Sequence, residues 1–202
     1  LVLFLATRKL TLIPGRTQNV IEVIFEFFEG QTRDLFGHES RTWLPFVLTI
    51  FFFVLCCNLF GMIPEIYPVN ANINTTATLA IIVFFVYHFA GIRAKGFFNY
   101  LKSLVPAGIP VFILPLMAFV EVLGHMVRPF SLAIRLFSNM TAGHLIGLTL
   151  LSFIFVFKNI WLTALPLAGK VTISLFEVFV AFIQAYVFAY LSALYIGLAI
   201  NE

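Results

Sequence analysis

The sequence predicts an all-α integral membrane protein, and three observations carry that reading. Of its 202 residues, 61% are hydrophobic and only 10% are charged, whereas soluble domains carry about a quarter charged residues. Phenylalanine alone occurs 26 times. The apolar stretches run to about 20 residues or more, the length a helix needs to cross a bilayer. Together they amount to about five membrane helices with the first truncated, one surface amphipathic helix, and two long helices forming a hairpin. No Gly- or Ser-rich linker and no internal repeat divides the chain, so a single membrane domain over 1–202 is expected.

Residues 1–42 open that domain. Leu1 to Ala6 is apolar and reads as the tail of a spanning helix cut at its start. Arg8, Lys9 and Arg16 follow, with a turn at Pro14-Gly15. Basic residues beside a span favour the cytoplasmic or matrix side. Thr17 to Phe36 reads as an amphipathic helix, because Glu22, Glu26, Glu29 and Arg33 step by four, three and four and so share one face. Such a helix is expected along the membrane surface or docked on a partner. Gly37 to Arg41 is a polar turn.

Residues 43–94 read as a transmembrane hairpin. Trp43 to Met62 is nearly unbroken apolar sequence, with Trp43 as an interface anchor and Asn58 inside the span. Adjacent Cys56 and Cys57 are poorly placed to bridge each other and read as small core hydrophobes. Ile63 to Asn74 contains Pro64, Pro68 and the asparagines Asn70, Asn72 and Asn74, without a basic residue. That composition fits a loop on the opposite side. Thr75 to Gly91 returns to a second basic loop with Arg93, Lys95 and Lys102, as the positive-inside rule requires.

Residues 105–202 differ. Two apolar stretches, Ile109 to Phe157 and Pro166 to Ile200, flank a break near Lys158 to Leu165. As one helix the first would be roughly 70 Å long, about twice the hydrocarbon thickness, so it must break or tilt strongly. It also holds ionisable groups. A charge near the bilayer centre costs roughly 3 to more than 10 kcal/mol, so Arg135 needs a use.

On a helix, Glu121, Arg128, Ser131, Arg135 and Asn139 share one face, a polar stripe about 27 Å long. His144 lies about half a turn round from Arg135. Lys170, Glu177 and Gln184, seven apart, mark the second stretch. In an antiparallel hairpin His144 and Glu177 come level, and Arg135 comes near Gln184 or a turn beyond. Arg cannot give up its proton, so Arg135 suits a fixed charge that holds a carboxylate ionised. His144 and Glu177 can both titrate when partly buried. Polar groups on both sides of a fixed cation fit two water-accessible routes with a barrier between them.

Plainer roles compete at several positions. Asn139, Gln184 and Ser131 can serve as interhelical hydrogen-bond partners. Arg128 beside Pro129 fits a snorkelling residue at a helix end. Lys158 and Lys170 fit interface residues, and His88 and His125 fit structural ones. No metal-ligand spacing, phosphate loop, nucleophile elbow or basic run is present. The sequence therefore argues against a metal site, a cofactor, a catalytic centre and nucleic-acid binding.

The run from Glu121 through Arg128-Pro129, Ser131-Leu132, Arg135-Leu136, Asn139-Met140 and Ala142-Gly143-His144 resembles subunit a of the F-type ATP synthase family. Phe176-Glu177, Ala181-Phe182 and Gln184 to Phe188 are similar to that family's last helix, and Asn58-Leu59, Gly61, Pro64, Asn72, Asn74 and Thr76 to its earlier ones. The resemblance implies a non-catalytic membrane stator facing the ring of c subunits, with peripheral-stalk b subunits, the lipid bilayer and the rest of F1Fo as partners. It implies two steeply tilted helices against the ring. It makes Arg135 the essential charge, Asn139, His144, Glu177 and Gln184 the outer half-channel, and Ser131 and Glu121 the inner one. Compared with one common bacterial form, His144 and Glu177 stand swapped, as in mitochondria and some bacteria. A bacterial inner (plasma) membrane is the expected location, with the mitochondrial inner membrane as the alternative. The competing functions are a stand-alone ion channel or secondary cation/proton antiporter, and a structural membrane anchor.

Overall fold

Helices α1 (Arg16–Phe36), α2 (Ser40–Phe60), α3 (Ile73–Lys95), α4 (Phe97–Ser103), α5 (Leu114–Val156) and α6 (Ile160–Asn201) make up the fold, with short 3-10 turns at Gly37–Glu39 and Val69–Ala71. They are seen in a computed structural model that describes residues 16–63, 68–103, 114–156 and 160–201, with no strand among them. The expected truncated first helix, the Arg8/Lys9 cluster, the Pro14-Gly15 turn, Pro64 and Lys158 lie outside the described residues. Among the described residues, α2, α3, α5 and α6 are long and apolar enough to cross a membrane.

Helix α1 is amphipathic as its charge spacing requires. Glu22, Glu26, Glu29 and Arg33 are exposed, while Phe28, Thr32 and Phe36, four apart, are buried. Phe28 packs on Phe51 of α2 and Tyr186 of α6, with ring centroids 4.8 and 6.1 Å away. The Thr32 hydroxyl donates to the Phe28 carbonyl at 2.8 Å, so its burial leaves no unpaired polar atom. At the helix's far end, Asn201 donates to the Leu35 carbonyl at 3.0 Å. The docking surface for α1 is thus this chain's own α2 and α6.

The centre of the fold is the packing of α2 on α6. Ala181, Ala185, Ala189 and Ala193, four apart, are all buried and form a ridge of small residues on α6. Small residues let membrane helices approach closely, which supplies dispersion and hydrogen bonding where lipid gives no hydrophobic drive. Leu44, Val47, Leu48, Phe51, Val54 and Leu55 of α2 fill the matching stripe. Asn58 continues that stripe at 2% exposure. Its Nδ2 donates to the Ala181 carbonyl at 3.2 Å, and its Oδ1 accepts from Asn70 Nδ2 at 2.8 Å. One asparagine therefore joins α2, α6 and the Val69–Ala71 turn.

Helix α3 starts where the Asn72 side chain accepts from the Asn74 N–H at 3.0 Å, an N-cap. It ends at Gly96, whose φ of 80° suits glycine. Arg93 and Lys95 belong to its last turn and not to the loop expected for them. There they face the negative end of the helix dipole. Thr76, Ala80, Val83, Tyr87 and Ala90 are its buried face. Tyr100 of α4 folds back against Gly91, where any side chain would collide with its ring.

The long stretches form two unbroken helices of 43 and 42 residues, each about 63–65 Å by the α-helical rise. Such lengths fit a hydrocarbon layer of about 30 Å only when strongly inclined. Pro129 lies inside α5 without ending it. Helix α6 resumes at Ile160, so the break expected over Lys158 to Leu165 is shorter, and Pro166 is intrahelical. Only 12% of the apolar window of α5 and 17% of that of α6 is buried in the chain, against 44% for α2. Most of the long hairpin's surface thus remains available to lipid or partners. Cys56 is exposed and Cys57 half-buried, not the core pair expected, because a lipid-facing surface is as apolar as a core.

Candidate functional site

The register of the long hairpin is set by glycines. Glu177 Oε1 lies 2.6 Å from where a Cβ on Gly143 would stand, and Lys170 Nζ lies 3.2 Å from the same point on Gly147. Helix α5 thus offers two side-chain-free notches one turn apart, and α6 seats a carboxylate and an ammonium in them. Glu177 comes level with Gly143, one residue from His144, as counting outward from the turn predicts.

Along this seam lies a cavity of about 260 Å³. Asn139 and His144 of α5, Lys170, Glu177 and Gln184 of α6, and Asn58 of α2 all line it. It therefore collects all four residues expected in the outer route. Leu136, Met140, Gly143 and Gly147 form the centre of the α5 wall. Asn139 and His144 flank that centre on opposite sides, about 70° off by helical geometry, which is how residues distant on the wheel reach one space. No ion pair or hydrogen bond joins His144 to Glu177 among the described contacts. They share the cavity without being a contact pair. Lys170, expected at an interface, is a lining residue instead.

Arg135 does not line the cavity. It stands about 40° round from Asn139 and one turn away, just beyond the cavity's edge. It is half-buried, and the ion pairs among the described residues involve other groups. Its charge has no carboxylate partner among the described residues. Ser131 is also half-buried and joins neither the cavity nor the cluster described next.

The other end of the stripe is packed differently. Glu121 Oε1 lies 3.5 Å from His125 Nε2 and 3.9 Å from Arg128 Nη2. The Tyr87 hydroxyl of α3 lies 3.1 Å from His125 Nδ1. Arg128 also sits over the Tyr195 ring of α6, 5.4 Å from its centroid, a cation–π contact. Arg128 is therefore held by groups of α5 and α6. His88 and His125, left as structural from sequence, belong to this cluster, with ring centroids 5.4 Å apart. The sequence signal was Glu121, His125 and Arg128 at i, i+4 and i+7. Tyr87 and Tyr195 carried none, being distant in the chain. No group of His, Cys, Asp and Glu among the described residues is arranged to hold a metal ion.

The sequence model of the family described as ATP synthase A chain matches residues 1–197. The chain belongs to that family. The ATP synthase subunit a of Chloroherpeton thalassium is 43% identical over 188 residues, 93% of this chain and 56% of that protein. Those of Ehrlichia ruminantium and Methylobacterium sp. (strain 4-46) are 37% and 39% identical over 98% and 100% of this chain, and 81% of each relative is covered. The chain spans little more than half of the first relative and about four fifths of the other two. Family membership agrees with the resemblance carried by the Glu121–His144 run, and the helices make this family member a multi-pass membrane protein.

Proposed function

We propose that this chain is the proton-translocating stator of an F1Fo ATP synthase in a bacterial inner (plasma) membrane. Its working partners are the c-ring, the peripheral-stalk b subunits and the surrounding bilayer. It binds no nucleotide; ATP synthesis occurs elsewhere in the complex. The observation that carries the reading is the division of labour along the α5–α6 hairpin. Two titratable groups, His144 and Glu177, line an accessible cavity, and Arg135 stands at its edge without a carboxylate partner among the described residues.

Protons enter from the outer side past Asn139, His144, Glu177 and Gln184, and neutralise a c-ring carboxylate. The neutral carboxyl can then enter lipid. Arg135 holds the next carboxylate ionised until its proton has left by the inner route, past Ser131 and Glu121, because an opposite charge lowers a carboxyl pKa. Its fixed charge also blocks a direct leak between the two routes. Each elementary charge moved through 100 mV supplies about 2.3 kcal/mol, so many steps per turn can drive synthesis. A stand-alone channel or antiporter has less support, since an intramembrane arginine there calls for a counter-charge in the same chain.

The test is purification with a ring of small carboxylate-bearing subunits, followed by ATP-driven proton pumping in vesicles. Arg135→Ala is expected to abolish pumping while the complex still assembles. Pumping at the parental rate in that variant contradicts the proposal.

A further inference from the structure

Glu121 is held by an array that the proposed pathway does not yet use. Pro129 has no N–H, so the carbonyl of His125, four residues earlier, lacks its helical donor. The Tyr87 hydroxyl lies against both groups, 3.4 Å from the freed carbonyl and 3.1 Å from His125 Nδ1, and its single proton serves one of them at a time. Arg128 Nη1 lies 3.4 Å from the same Nδ1. A guanidinium can only donate. Nδ1 must therefore present its lone pair, and the imidazole proton sits on Nε2. That nitrogen faces Glu121 Oε1 at 3.5 Å.

The ring has little freedom to turn away. It stacks on Tyr87 at 5.8 Å with an interplanar angle of 20°, and meets His88 edge-on at 5.4 Å. Arg128 is fixed in turn over Tyr195. The titratable and charged groups around His125 are thus Tyr87 and His88 of α3, Glu121 and Arg128 of α5, and Tyr195 of α6. The side chain of Glu121 is 34% exposed, against 12% for His125. The carboxylate is the open end of a closed assembly.

We propose that His125 is a positioning residue for Glu121. Locked as the Nε2–H tautomer by Arg128 and packed in place by Tyr87, its imidazole directs a proton at the Glu121 carboxylate and holds that group facing the inner route. The histidine orients the carboxylate and does not itself pass protons. This rests on the reading of Glu121 as an inner-route residue.

The experiment measures ATP-driven proton pumping by the intact complex in proteoliposomes, at equal content of assembled complex, for E121Q, H125L, H125Q and the double variant E121Q/H125L. H125L is expected to lower pumping about tenfold, the loss of one hydrogen bond to a charged group. H125Q restores most of that loss, because its amide offers an N–H to Glu121 and a carbonyl to Arg128 without titrating. The double variant pumps no worse than E121Q. Parental pumping in H125L, no rescue by H125Q, or a double variant well below E121Q overturns the proposal. Should H125L fail to assemble, Y87F carries the test: it keeps the ring packing, removes the hydroxyl that lies against both His125 Nδ1 and the His125 carbonyl, and is expected to slow pumping measurably. An unchanged rate in Y87F then overturns the proposal. Parental pumping in E121Q instead overturns the inner-route reading itself.

Discussion

Two polar regions of the α5–α6 hairpin solve the burden of charge in lipid in opposite ways. Beside Glu121, His125 and Arg128 have partners, and α3 and α6 pack over those two while the carboxylate stays part-exposed. His144 and Glu177 face a shared cavity, and among the described residues no ion pair or hydrogen bond joins them. A closed, paired cluster fixes geometry, while an open, unpaired one can take up and release protons. Arg135 lies between the two and belongs to neither. The contrast arises from what lies opposite: tyrosines at the first end, glycine notches at the second. Tyr87 brings its hydroxyl and Tyr195 its ring face to the paired cluster. Gly143 and Gly147 leave room for Glu177 and Lys170 without supplying a partner.

The largest expected effect breaks the open end. Glu177→Gln is expected to slow proton pumping at least about tenfold, a modest value for losing an acid–base group, while leaving assembly intact; the parental rate would remove Glu177 from the pathway. Next, Asn58→Leu removes the link that keeps the cavity's α2 wall on α6. It leaves the buried Asn70 Nδ2 without its acceptor, a loss of about 1–3 kcal/mol for a buried group left unsatisfied, while the Ala181 carbonyl keeps its own helical donor. Thermal unfolding of the purified complex is expected at a lower temperature, and an unchanged midpoint would show that the link carries little. The smallest effect sharpens the comparison. Gly143→Ala fills the notch under Glu177 and pushes only the mobile end of its side chain. Pumping is expected to fall about two- to fivefold, a fraction of the loss expected from removing the acid–base group outright, with the thermal midpoint unchanged. A stability loss without a pumping loss would make the notch a packing feature.

Much of this was legible in the sequence because membrane helices leave few choices. Length and apolar content gave the spanning helices. Seven-residue spacing gave both polar stripes, and counting from the turn gave their register. What was not legible involved distance or lipid. Tyr87 and Tyr195 lie far from His125 in the chain, so a closed cluster looked like a snorkelling arginine beside an idle histidine. Lys170 looked like an interface residue, although Ser174 and Glu177 at i+4 and i+7 put it on the cavity line. Cys56 looked buried because outward-facing positions are as apolar as inward-facing ones in a bilayer. Pro166 marked a helix start by its usual habit, yet α6 begins at Ile160 and runs through it.

The division between the two ends is tested most directly by water access from each side. With Cys56 and Cys57 replaced by alanine, His144→Cys and Glu121→Cys are introduced singly into the assembled complex. Each is exposed in oriented vesicles to a thiol reagent that does not cross membranes. The account predicts that the cysteine at 144 reacts only from the outer side and the cysteine at 121 only from the inner side. Labelling of both from the same side, or of neither from any side, would contradict it.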